Sequence, residues 1–493
     1  MWYRIAFATG IAFIVAACGG CGGGGGSPPA LSPPSALSYT SPMQATVGTA
    51  IAALSPTVTG AVSSYSVSPA LPAGLSLDTT TGIITGTPRA VAAQATYTIR
   101  AANVAGSTTF GLAITCLPCD SGPPLALLPP EPSAAPGDDF VDPVTGHRVV
   151  RLSRLENGGS NFYYTQREFN CRGNTLVFAN AHGSLGRWLY SINLETFDIQ
   201  PLASSEALGF EVVAPKRNEV VYLGSDGTLR ATNLDTHATR SIAQLPASVR
   251  GFTINSDETL IAGFYNDALA NYQSQYPTTW QQQYFDAHRL SYLFTVDADS
   301  GAFKQIHQED NWLDHTQFSP SDPHMLMFVH QGPTESVTDR LWLIDATGTT
   351  APWSLYTETV TGELVNHEFW RHDGTWVYFD HQVPAGGSYF IGGIEVATGT
   401  MGGYPIAQAD WGLHYNISHD GSLFASDGDD FSRKTLLLYR IVNGSLQVEP
   451  LADLSASDYG FQPNVQFTLN DKWVIYQTSQ GSLVEIYAVS VAK

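Results

Sequence analysis

A polar turn followed by an apolar strand recurs seven times along the C-terminal part of the chain. The repeats read NCRGNTLVFAN, PKRNEVVYLGS, NSDETLIAGFY, PSDPHMLMFVH, RHDGTWVYFDH, SHDGSLFASDG and LNDKWVIYQTS. Their centres are roughly 40 to 65 residues apart, which is the length of one blade of a β-propeller. A second strand motif follows in each unit, as in LYSINLETF, LWLIDATGT and IYAVSVAK. The repeat therefore predicts an all-β chain whose main domain, at residues 138–493, is a seven-bladed β-propeller.

The last repeat ends without its outermost strand, and the missing strand occurs at the start of the domain. The segment DPVTGHRVVRLS resembles the end of such a unit. We therefore expect residues 144–153 to pair with the last blade and to close the ring. Closure removes exposed strand edges, which would otherwise promote aggregation.

The first 18 residues resemble a bacterial lipoprotein signal. Arg4 gives a short basic start, and the apolar run at residues 5–17 is too short for an ordinary membrane span. VAAC then places Cys18 where the lipid-bearing first residue of a mature lipoprotein lies. An ordinary cleaved signal peptide is the alternative. Gly19 resembles the second residue of lipoproteins sorted to an outer membrane, so we expect a bacterial cell-envelope protein, at the outer membrane or periplasmic face, whose only membrane contact is this lipid.

Two linkers enclose a small domain before the propeller. Residues 19–36 are rich in Gly, Ser and Pro and predict a flexible tether, and a second, Pro-rich linker spans 117–137. Between them, LPAGLSLDTTTGIITGTP and ATYTIRAANVAGSTTF resemble the Ig-like, cadherin-like repeats of bacterial surface proteins. We therefore expect a small Ig-like β-sandwich at residues 37–116, acting as a spacer or, alternatively, binding carbohydrate.

The cysteines suggest an oxidising compartment but no redox motif. Besides Cys18 they lie at positions 21, 116, 119 and 171. In an exported protein a Cys116–Cys119 disulfide is expected to be stable. A CxxC pair can also bind zinc, but this one lies in a Pro-flanked linker without a second pair. We therefore expect either a structural Cys116–Cys119 bridge or no special role.

The net charge limits the partners of the chain. Its formal value is -21 at pH 7. Proteins that bind nucleic acid usually carry a basic footprint, so the charge argues against a nucleic-acid partner. An acidic substrate would need a local cation, either a metal ion or a few placed arginines.

Three histidines keep nearly the same position relative to a polar turn. They are His315 in LDHTQFSPSDP, His367 in LVNHEFWRHDG and His414 in GLHYNISHDG. The innermost strands of a propeller line its central channel, so residues in register in different blades converge on one axis. Convergent histidines commonly mark a metal or acid–base site, although hydrogen bonding between blades is the alternative. The same slot in the other blades holds Gln166, Phe210, Gly251 and Val465. Four histidines lack the register and are expected at the surface or in turns: His147, His237, His307 and His324.

Several segments of the propeller resemble one known family. DPVTGHRVVRL, NFYYTQREFN, HTQFSPSDPHMLMFVHQGP, DRLWLID, HEFW and HYNISHDGSLFASDGD are similar to segments of the oligogalacturonate lyases, seven-bladed propellers that cleave short pectin fragments. The likeness spans nearly all of residues 138–493. It implies β-elimination, in which a base removes the C5 proton of a galacturonate and the glycosidic oxygen leaves from C4.

The resemblance also implies a manganese site. In the family the metal neutralises the substrate carboxylate so that charge can develop in an enolate-like transition state. It is held mainly by histidines, with a further histidine as base and an arginine nearby. His367 and His414 resemble the metal ligands and His315 the general base, although these roles are interchangeable at this stage. Arg289, in HRLSYLFTVD, resembles the arginine that pairs with a substrate carboxylate, and a surface arginine is the alternative.

The resemblance is incomplete at the metal site. The family has a glutamine and a second histidine close to the histidine that matches His414, and neither occurs at that spacing here. The neighbours are instead Trp411, Gly412 and Tyr415. Gln166, Gln317 or water would complete the ligand shell, or the metal is lost. Gln317 and Arg167 are also predicted to bind substrate.

Two functions from different classes therefore compete. The first is a metal-dependent polysaccharide lyase for short uronate oligosaccharides, because an acidic protein repels a polyanion more strongly than a short oligomer. The second is a non-catalytic surface propeller that binds glycans or partner proteins, since fold does not fix function. A propeller that scaffolds envelope proteins is a weaker third.

Overall fold

The computed structural model describes residues 31–118, 138–181, 187–207, 210–333, 336–428, 434–457, 462–480 and 483–493. The predicted signal peptide, Cys18 and most of both linkers lie outside these residues. Within them, no helix is long and apolar enough to cross a membrane.

The N-terminal domain is a β-sandwich, as its short alternating strands predict. Its largest sheet has the strand order β2-β8-β7-β4, with β2 parallel to β8, and two further pairs are β1-β3 and β5-β6. In β7, Tyr97, Ile99 and Ala101 are buried and alternate with exposed residues, so one face of the strand forms the core. The strands are β1 (Ser35–Ser38), β2 (Met43–Thr46), β3 (Thr57–Thr59), β4 (Ser64–Ser68), β5 (Leu75–Leu77), β6 (Ile84–Gly86), β7 (Ala92–Asn103) and β8 (Gly106–Leu117).

Of the two expectations for Cys116 and Cys119, the structure agrees with the one that gives Cys116 no bridge, and Cys119 lies outside the described residues. Cys116 lies on β8 as a buried free thiol in the core of the sandwich. Burial raises its pKa, which keeps the thiol protonated and unreactive. Cys171 of the propeller, by contrast, is disulfide-bonded.

The propeller consists of seven sheets, and the predicted fold is confirmed. Blade 1 contains β11 (Thr175–Ala181), β12 (Arg187–Asn193) and β13 (Ile199–Ala207). Blade 2 contains β14 (Val212–Ala214), β15 (Glu219–Leu223), β16 (Thr228–Asn233) and β17 (Thr239–Gln244). Blade 3 contains β18 (Val249–Ile254), β19 (Leu260–Asn266), β20 (Ser291–Asp297) and β21 (Phe303–Glu309). Blade 4 contains β22 (Leu313–Phe318), β23 (Met325–His330), β24 (Leu341–Asp345) and β25 (Trp353–Tyr356).

The remaining three blades complete the ring. Blade 5 contains β26 (Leu364–Trp370), β27 (Trp376–Val383), β28 (Ser388–Glu395) and β29 (Met401–Ile406). Blade 6 contains β30 (Tyr415–Ile417), β31 (Leu423–Ser426), β32 (Thr435–Val442) and β33 (Ser445–Asp453). Blade 7 contains β34 (Gln466–Phe467), β35 (Trp473–Gln480) and β36 (Leu483–Ser490), joined by β10 (Arg148–Arg151) and β9 (Asp139–Val141) from the start of the domain.

The ring closes as the sequence predicts. β10 pairs antiparallel with β36, with Val149 opposite Val489 and Arg151 opposite Tyr487. Val149 is buried, because the sheet of blade 7 packs against its neighbours. His147 was expected at the surface and is instead fully buried, with Nδ1 2.8 Å from the carbonyl oxygen of Ser490.

The apolar strand of each repeat becomes the second strand of its blade and packs between neighbouring sheets. This strand carries a buried aromatic residue in every blade, at Phe178, Tyr222, Phe264, Phe328, Phe379, Phe424 and Tyr476. Blade 1 departs from the pattern on its inner side, where residues 160–169 form no regular strand and pair with β11 through the isolated bridges Ser160–Ala179 and Phe169–Leu176.

Two insertions and one interface modify this plan. Helices α1 (Leu269–Gln275) and α2 (Trp280–Asp286) lie between β19 and β20, and a 3-10 helix spans Gln408–Asp410. The Ig-like domain contacts blades 1 to 3. Arg89 lies 2.9 Å from Asp299, which also pairs with Arg217 at 2.7 Å. Gly48 lies so close to blades 1 and 2 that a Cβ there would be 2.7 Å from the Pro215 carbonyl oxygen.

Candidate active site

A large cavity lies where the innermost strands of the propeller begin. Its volume is about 1090 Å³. Blades 1, 2, 3, 4 and 7 contribute to its wall, which mixes aromatic rings with amides, four charged side chains and one histidine. The lining includes Asn161, Phe162, Tyr163, Gln166, Arg187, Phe210, Glu211, Arg250, Phe252, Phe264, Asp314, His315, Gln317, Asn464 and Gln477.

A second, smaller cavity of about 340 Å³ lies at the other end of the same strands. Thr165, Gln166 and Gln317 line both cavities, so they form a layer across the channel. The second cavity is also lined by Cys171 and Pro215, the residues closest to Gly48 of the Ig-like domain. The Ig-like domain therefore contacts the propeller beside the second cavity, away from the first.

A left-handed backbone conformation recurs near the start of several inner strands, and three of the residues that adopt it, Phe210, His315 and Asn464, line the large cavity. Phe210, His315, His367 and Asn464 have φ values of 64°, 48°, 53° and 52°. Non-glycine residues rarely adopt such angles, and strained residues of this kind concentrate at functional sites. In blades 4 and 5 the strand pairing shifts register across the histidine, as in a β-bulge. A bulge redirects one side chain out of the alternating pattern.

His315 is fixed by a carboxylate from the next blade. Its Nδ1 lies 2.8 Å from Oε1 of Glu368, which is fully buried. Arg340 lies 3.6 Å from the other oxygen of Glu368. Burial lowers the pKa of His315, but the carboxylates of Glu368 and Asp314 outweigh it, and the net effect is a raised pKa. Because Nδ1 is held by the carboxylate, Nε2 is the nitrogen left for chemistry in the cavity.

His414 is fixed in the same way by a carboxylate of its own blade. Its Nδ1 lies 2.6 Å from Oδ2 of Asp427, and its backbone N–H donates to Oδ1 of the same residue. The ring of His367 lies edge-on to that of His414, with 4.5 Å between ring centroids. Burial, followed by the proximity of His414, holds the pKa of His367 well below its usual value. His367 is therefore neutral at physiological pH, and its buried Nδ1 has no hydrogen-bond partner within the described chain.

Tyr163 connects the two parts of the histidine cluster. Its ring centroid lies 6.1 Å from that of His315 and 5.6 Å from that of His414. Tyr164 packs beside Tyr163, with 4.6 Å between their ring centroids, and its ring lies 4.7 Å from that of His414. The structure thus brings together the three histidines that the register predicts, around aromatic residues of blade 1.

The predicted substrate contacts are divided between the two ends of the channel. Gln317 lines the large cavity, but its Nε2 donates to the carbonyl oxygen of Glu368 at 2.7 Å and so also ties blade 4 to blade 5. Arg167 lines the second cavity instead, where its guanidinium donates to the carbonyl oxygen of Ile254 at 2.6 Å. The structure therefore does not bring Arg167 to the three histidines.

Arg289 is likewise separate from the large cavity. It follows α2, and its guanidinium donates to the hydroxyl of Tyr272 and lies over that ring, 5.7 Å from the centroid. It is exposed and does not line the cavity wall. The predicted catalytic role is corrected on this ground, because a group that acts on substrate must reach it. Arg250, which sequence reasoning missed, is the arginine of blade 3 that lines the cavity.

Three comparisons with known proteins bear on this cavity. A family model described as oligogalacturonate lyase matches residues 137–435, which is more than half of the chain. The chain belongs to the oligogalacturonate lyase family. A second model, for an Ig domain, matches residues 28–115.

Individual members of the oligogalacturonate lyase family share about a quarter of their residues with this chain over the aligned region. The oligogalacturonide lyase of Pectobacterium atrosepticum is 26% identical over 307 residues, which cover 59% of this chain and 75% of the relative. The oligogalacturonate lyase of Dickeya dadantii is 25% identical over 299 residues, covering 59% and 74%. A solved oligogalacturonate lyase in complex with manganese superposes with a TM-score of 0.64 at 23% identity, covering 72% of this chain and 96% of the other. The Vibrio parahaemolyticus oligogalacturonate lyase gives the same values.

In this protein, the side chains near His367 and His414 supply only part of the ligand set that a divalent metal needs. Over the described residues, no group of three or more His, Cys, Asp or Glu side chains is arranged to hold a metal ion. His367 and His414 nevertheless offer two neighbouring imidazoles. One is neutral with an unpartnered buried Nδ1, and the other is oriented by a carboxylate in the manner of many metal-binding histidines. These two residues therefore fit a metal that takes its remaining ligands from water or substrate.

Proposed function

We propose that this chain is a lyase that cleaves short oligogalacturonides, or related uronate oligosaccharides, by β-elimination. The observation that carries the proposal is the Glu368–His315 pair, which presents a histidine nitrogen at a large cavity beside His367 and His414. Membership of the oligogalacturonate lyase family supports the reaction class.

His315 acts as the general base. Its Nε2 takes the C5 proton of the uronate, the C4–O bond breaks, and a double bond forms between C4 and C5. Glu368 accepts from Nδ1–H, so it fixes the tautomer in which Nε2 carries the lone pair and stabilises the imidazolium that forms. The oxygen that leaves C4 takes a proton and becomes the hydroxyl of the departing sugar.

His367 and His414 are the residues that would hold a Mn²⁺ ion or another divalent metal. When bound, the metal would neutralise the substrate carboxylate and so make the adjacent C5 proton more acidic. The low pKa of His367 keeps its imidazole unprotonated, as ligation requires. Asp427 orients His414 and makes it a stronger donor.

The charge of the chain favours a short substrate. With a net charge of -21, the protein would meet a long polyanion slowly at low salt. A cavity of about 1090 Å³ is also of a size that suits a short oligomer. A lipid at Cys18 would place this activity in the bacterial cell envelope, after the Ig-like domain and its linkers.

Product formation tests the proposal directly. Digalacturonate and trigalacturonate are incubated with the protein, and the ultraviolet absorbance of the unsaturated product is followed with added manganese and then with a chelator. We expect a rise that the chelator abolishes and that His315→Ala loses, whereas Arg172→Ala, an exposed arginine outside the cavity, retains it. A flat trace with manganese and with every other divalent metal would reject the lyase.

A glycan-binding propeller is the second candidate, because the described residues contain no arrangement of three metal ligands. It predicts that the oligosaccharide binds and is recovered uncleaved, with no metal in the purified protein. Calorimetry and metal analysis of the same sample separate it from the lyase.

A further inference from the structure

We infer that blades 2 and 3 of the large cavity form a separate subsite that binds a second uronate residue of the substrate, next to the one that reacts. The subsite consists of Phe210, Glu211 and Arg250, with Arg187 of blade 1 beside them. The inference rests on the proposed function, because it concerns the non-reacting uronate of the same substrate, which would lie in the same cavity but away from His315.

Phe210 supplies an apolar platform. It is a large ring that remains 38% exposed, and it lies on the cavity wall. Its φ of 64° matches the left-handed conformation of His315 and His367 at the start of their blades. The left-handed conformation that carries an imidazole in blades 4 and 5 thus carries a phenyl ring in blade 2. Exposed aromatic faces at cavities suit the C–H faces of sugar rings.

Arg250 supplies the cation for a carboxylate. It is half-buried on the cavity wall, and it forms no ion pair with the acidic residues that the structure describes. Its hydrogen bond goes to Oε1 of Gln273, 3.3 Å away on α1. The helical insertion therefore positions the guanidinium without neutralising it. A guanidinium matches a carboxylate in its forked geometry.

Glu211 supplies an acceptor for sugar hydroxyls. It is 3% exposed, and its Oε1 accepts no hydrogen bond from the part of the chain that is described. The nearest cation is Arg187, whose Nε lies 3.5 Å from this oxygen. A buried carboxylate oxygen without a donor is costly, so a donor is expected from a ligand. The hydroxyls of a pyranose ring are such donors.

Together these groups define the ligand by chemistry. The phenyl face, the forked cation and the unsatisfied acceptor match a sugar ring that carries one carboxylate and free hydroxyl groups. The cavity therefore prefers an oligomer in which the non-reacting residue is also an unesterified uronate. A neutral sugar or a methyl ester at that position would leave Arg250 unpaired.

Binding to an inactive variant tests this subsite without depending on turnover. Trigalacturonate and its methyl ester are titrated by calorimetry into His315→Ala, with and without Arg250→Ala. Hydrogen bonds to charged groups are worth enough to predict that Arg250→Ala weakens binding of the acid about 10- to 100-fold and changes binding of the ester by less than about threefold. Arg172→Ala in the same background serves as the control and should bind both ligands as its parent does.

Turnover of the otherwise native protein separates this inference from the proposed lyase function. The subsite is rejected, and the lyase stands, if Arg250→Ala cleaves trigalacturonate with an unchanged KM. The same conclusion follows if Arg250→Ala weakens the binding of the acid and of the ester by the same factor. If the acid binds through Arg250 but the wild-type protein yields no product, the subsite stands and the lyase is rejected. If the acid does not bind at all, both are rejected.

Discussion

Nδ1 of His315 lies 2.8 Å from Oε1 of Glu368, although the two residues belong to neighbouring blades. Glu368 directly follows His367 in the chain, so one short segment of blade 5 supplies both a carboxylate for the proposed base and a candidate metal ligand. The inner strands of blades 4 and 5 must therefore keep a fixed register for the site to form. Gln317, which donates to the backbone of Glu368, holds that register.

Replacing Glu368 by Gln should change the pH dependence of the reaction as well as its rate. His315 must be neutral to accept a proton, so in the wild-type protein kcat/KM should rise with pH through a pKa above the ordinary histidine value of 6.5. Loss of the carboxylate lowers that pKa, so the rising limb moves to lower pH, while the plateau falls about 10- to 100-fold because the tautomer is no longer fixed. A pH–rate profile measures both effects.

Glu195→Gln is the matched control, because Glu195 is an exposed glutamate on blade 1. Its profile should superpose on that of the wild-type protein. An unshifted rising limb in Glu368→Gln would mean that His315 is not the titrating base.

Replacing Asp427 by Asn should weaken metal binding. Asp427 orients His414 through a contact of 2.6 Å, and loss of such a carboxylate typically lowers metal affinity about 10- to 100-fold. Titration with Mn²⁺, followed by electron paramagnetic resonance, measures the affinity without any need for turnover. The exposed Asp235→Asn serves as control. Equal affinity in Asp427→Asn and wild type would remove His414 from the ligand set.

The buried carboxyl of Asp380 should make the propeller less stable as pH rises. Burial raises its pKa from 3.8 to about 7, although Trp411 Nε1 donates to it at 2.9 Å. A carboxyl whose pKa is raised by folding favours the folded state when protonated. Its contribution is therefore complete below about pH 4 and is lost as pH rises through about 7.

Asp380→Asn should mimic the protonated acid at every pH. It should match the wild-type protein near pH 4 and exceed its free energy of unfolding by up to about 4 kcal/mol near pH 8. Denaturant unfolding at both pH values measures the difference. A variant that is less stable than wild type by the same amount at both would show that Asp380 does not titrate in this range.

The contact between the Ig-like domain and the propeller should depend on Gly48. Gly48 has φ of 76°, and a Cβ there would lie 2.7 Å from the carbonyl oxygen of Pro215. Gly444 has a similar φ of 78° but no neighbour within 4 Å of an added Cβ. Alanine at either position incurs about 1–2 kcal/mol of backbone strain, so the pair separates strain from steric exclusion.

Hydrogen exchange across residues 214–217 reports on this contact. Exchange should become faster in Gly48→Ala and stay at the wild-type rate in Gly444→Ala, because only the first substitution pushes the two domains apart. Equal exchange in both variants would show that the interface does not require close approach at Gly48.

The fold was predictable because its signal is repeated. One polar turn and one apolar strand recur in every blade, so errors in any single blade do not change the architecture, and the segment before blade 1 revealed how the ring closes. The register of the turns also led to His315, His367 and His414, since a common position in each blade becomes a common position around the channel.

The partners of those histidines were not predictable in the same way. Glu368 and Asp427 lie inside the quoted motifs, but pairing Glu368 with His315 requires the spacing between two blades. The sequence suggested Arg289 for the substrate carboxylate, but the helical insertion that follows β19 places Arg289 against Tyr272 and not on the cavity wall. Arg250 lines that wall, and nothing in its sequence neighbourhood singled it out. The sequence left open whether Cys116 forms a bridge, and the structure shows a free thiol because the last strand of the sandwich continues through that residue and buries it.

The central claim is that the cavity eliminates across C4 and C5 with His315 as base, and the masses of the products test it most directly. Trigalacturonate is incubated with the manganese-loaded wild-type protein and with His315→Ala, and the products are weighed by mass spectrometry. Elimination adds no water, so the account predicts two fragments whose masses sum to that of the substrate. It also predicts about a 10²- to 10⁴-fold lower yield from His315→Ala at equal time. Fragments that together contain one additional water, or an equal yield from the His315→Ala variant, would contradict the account.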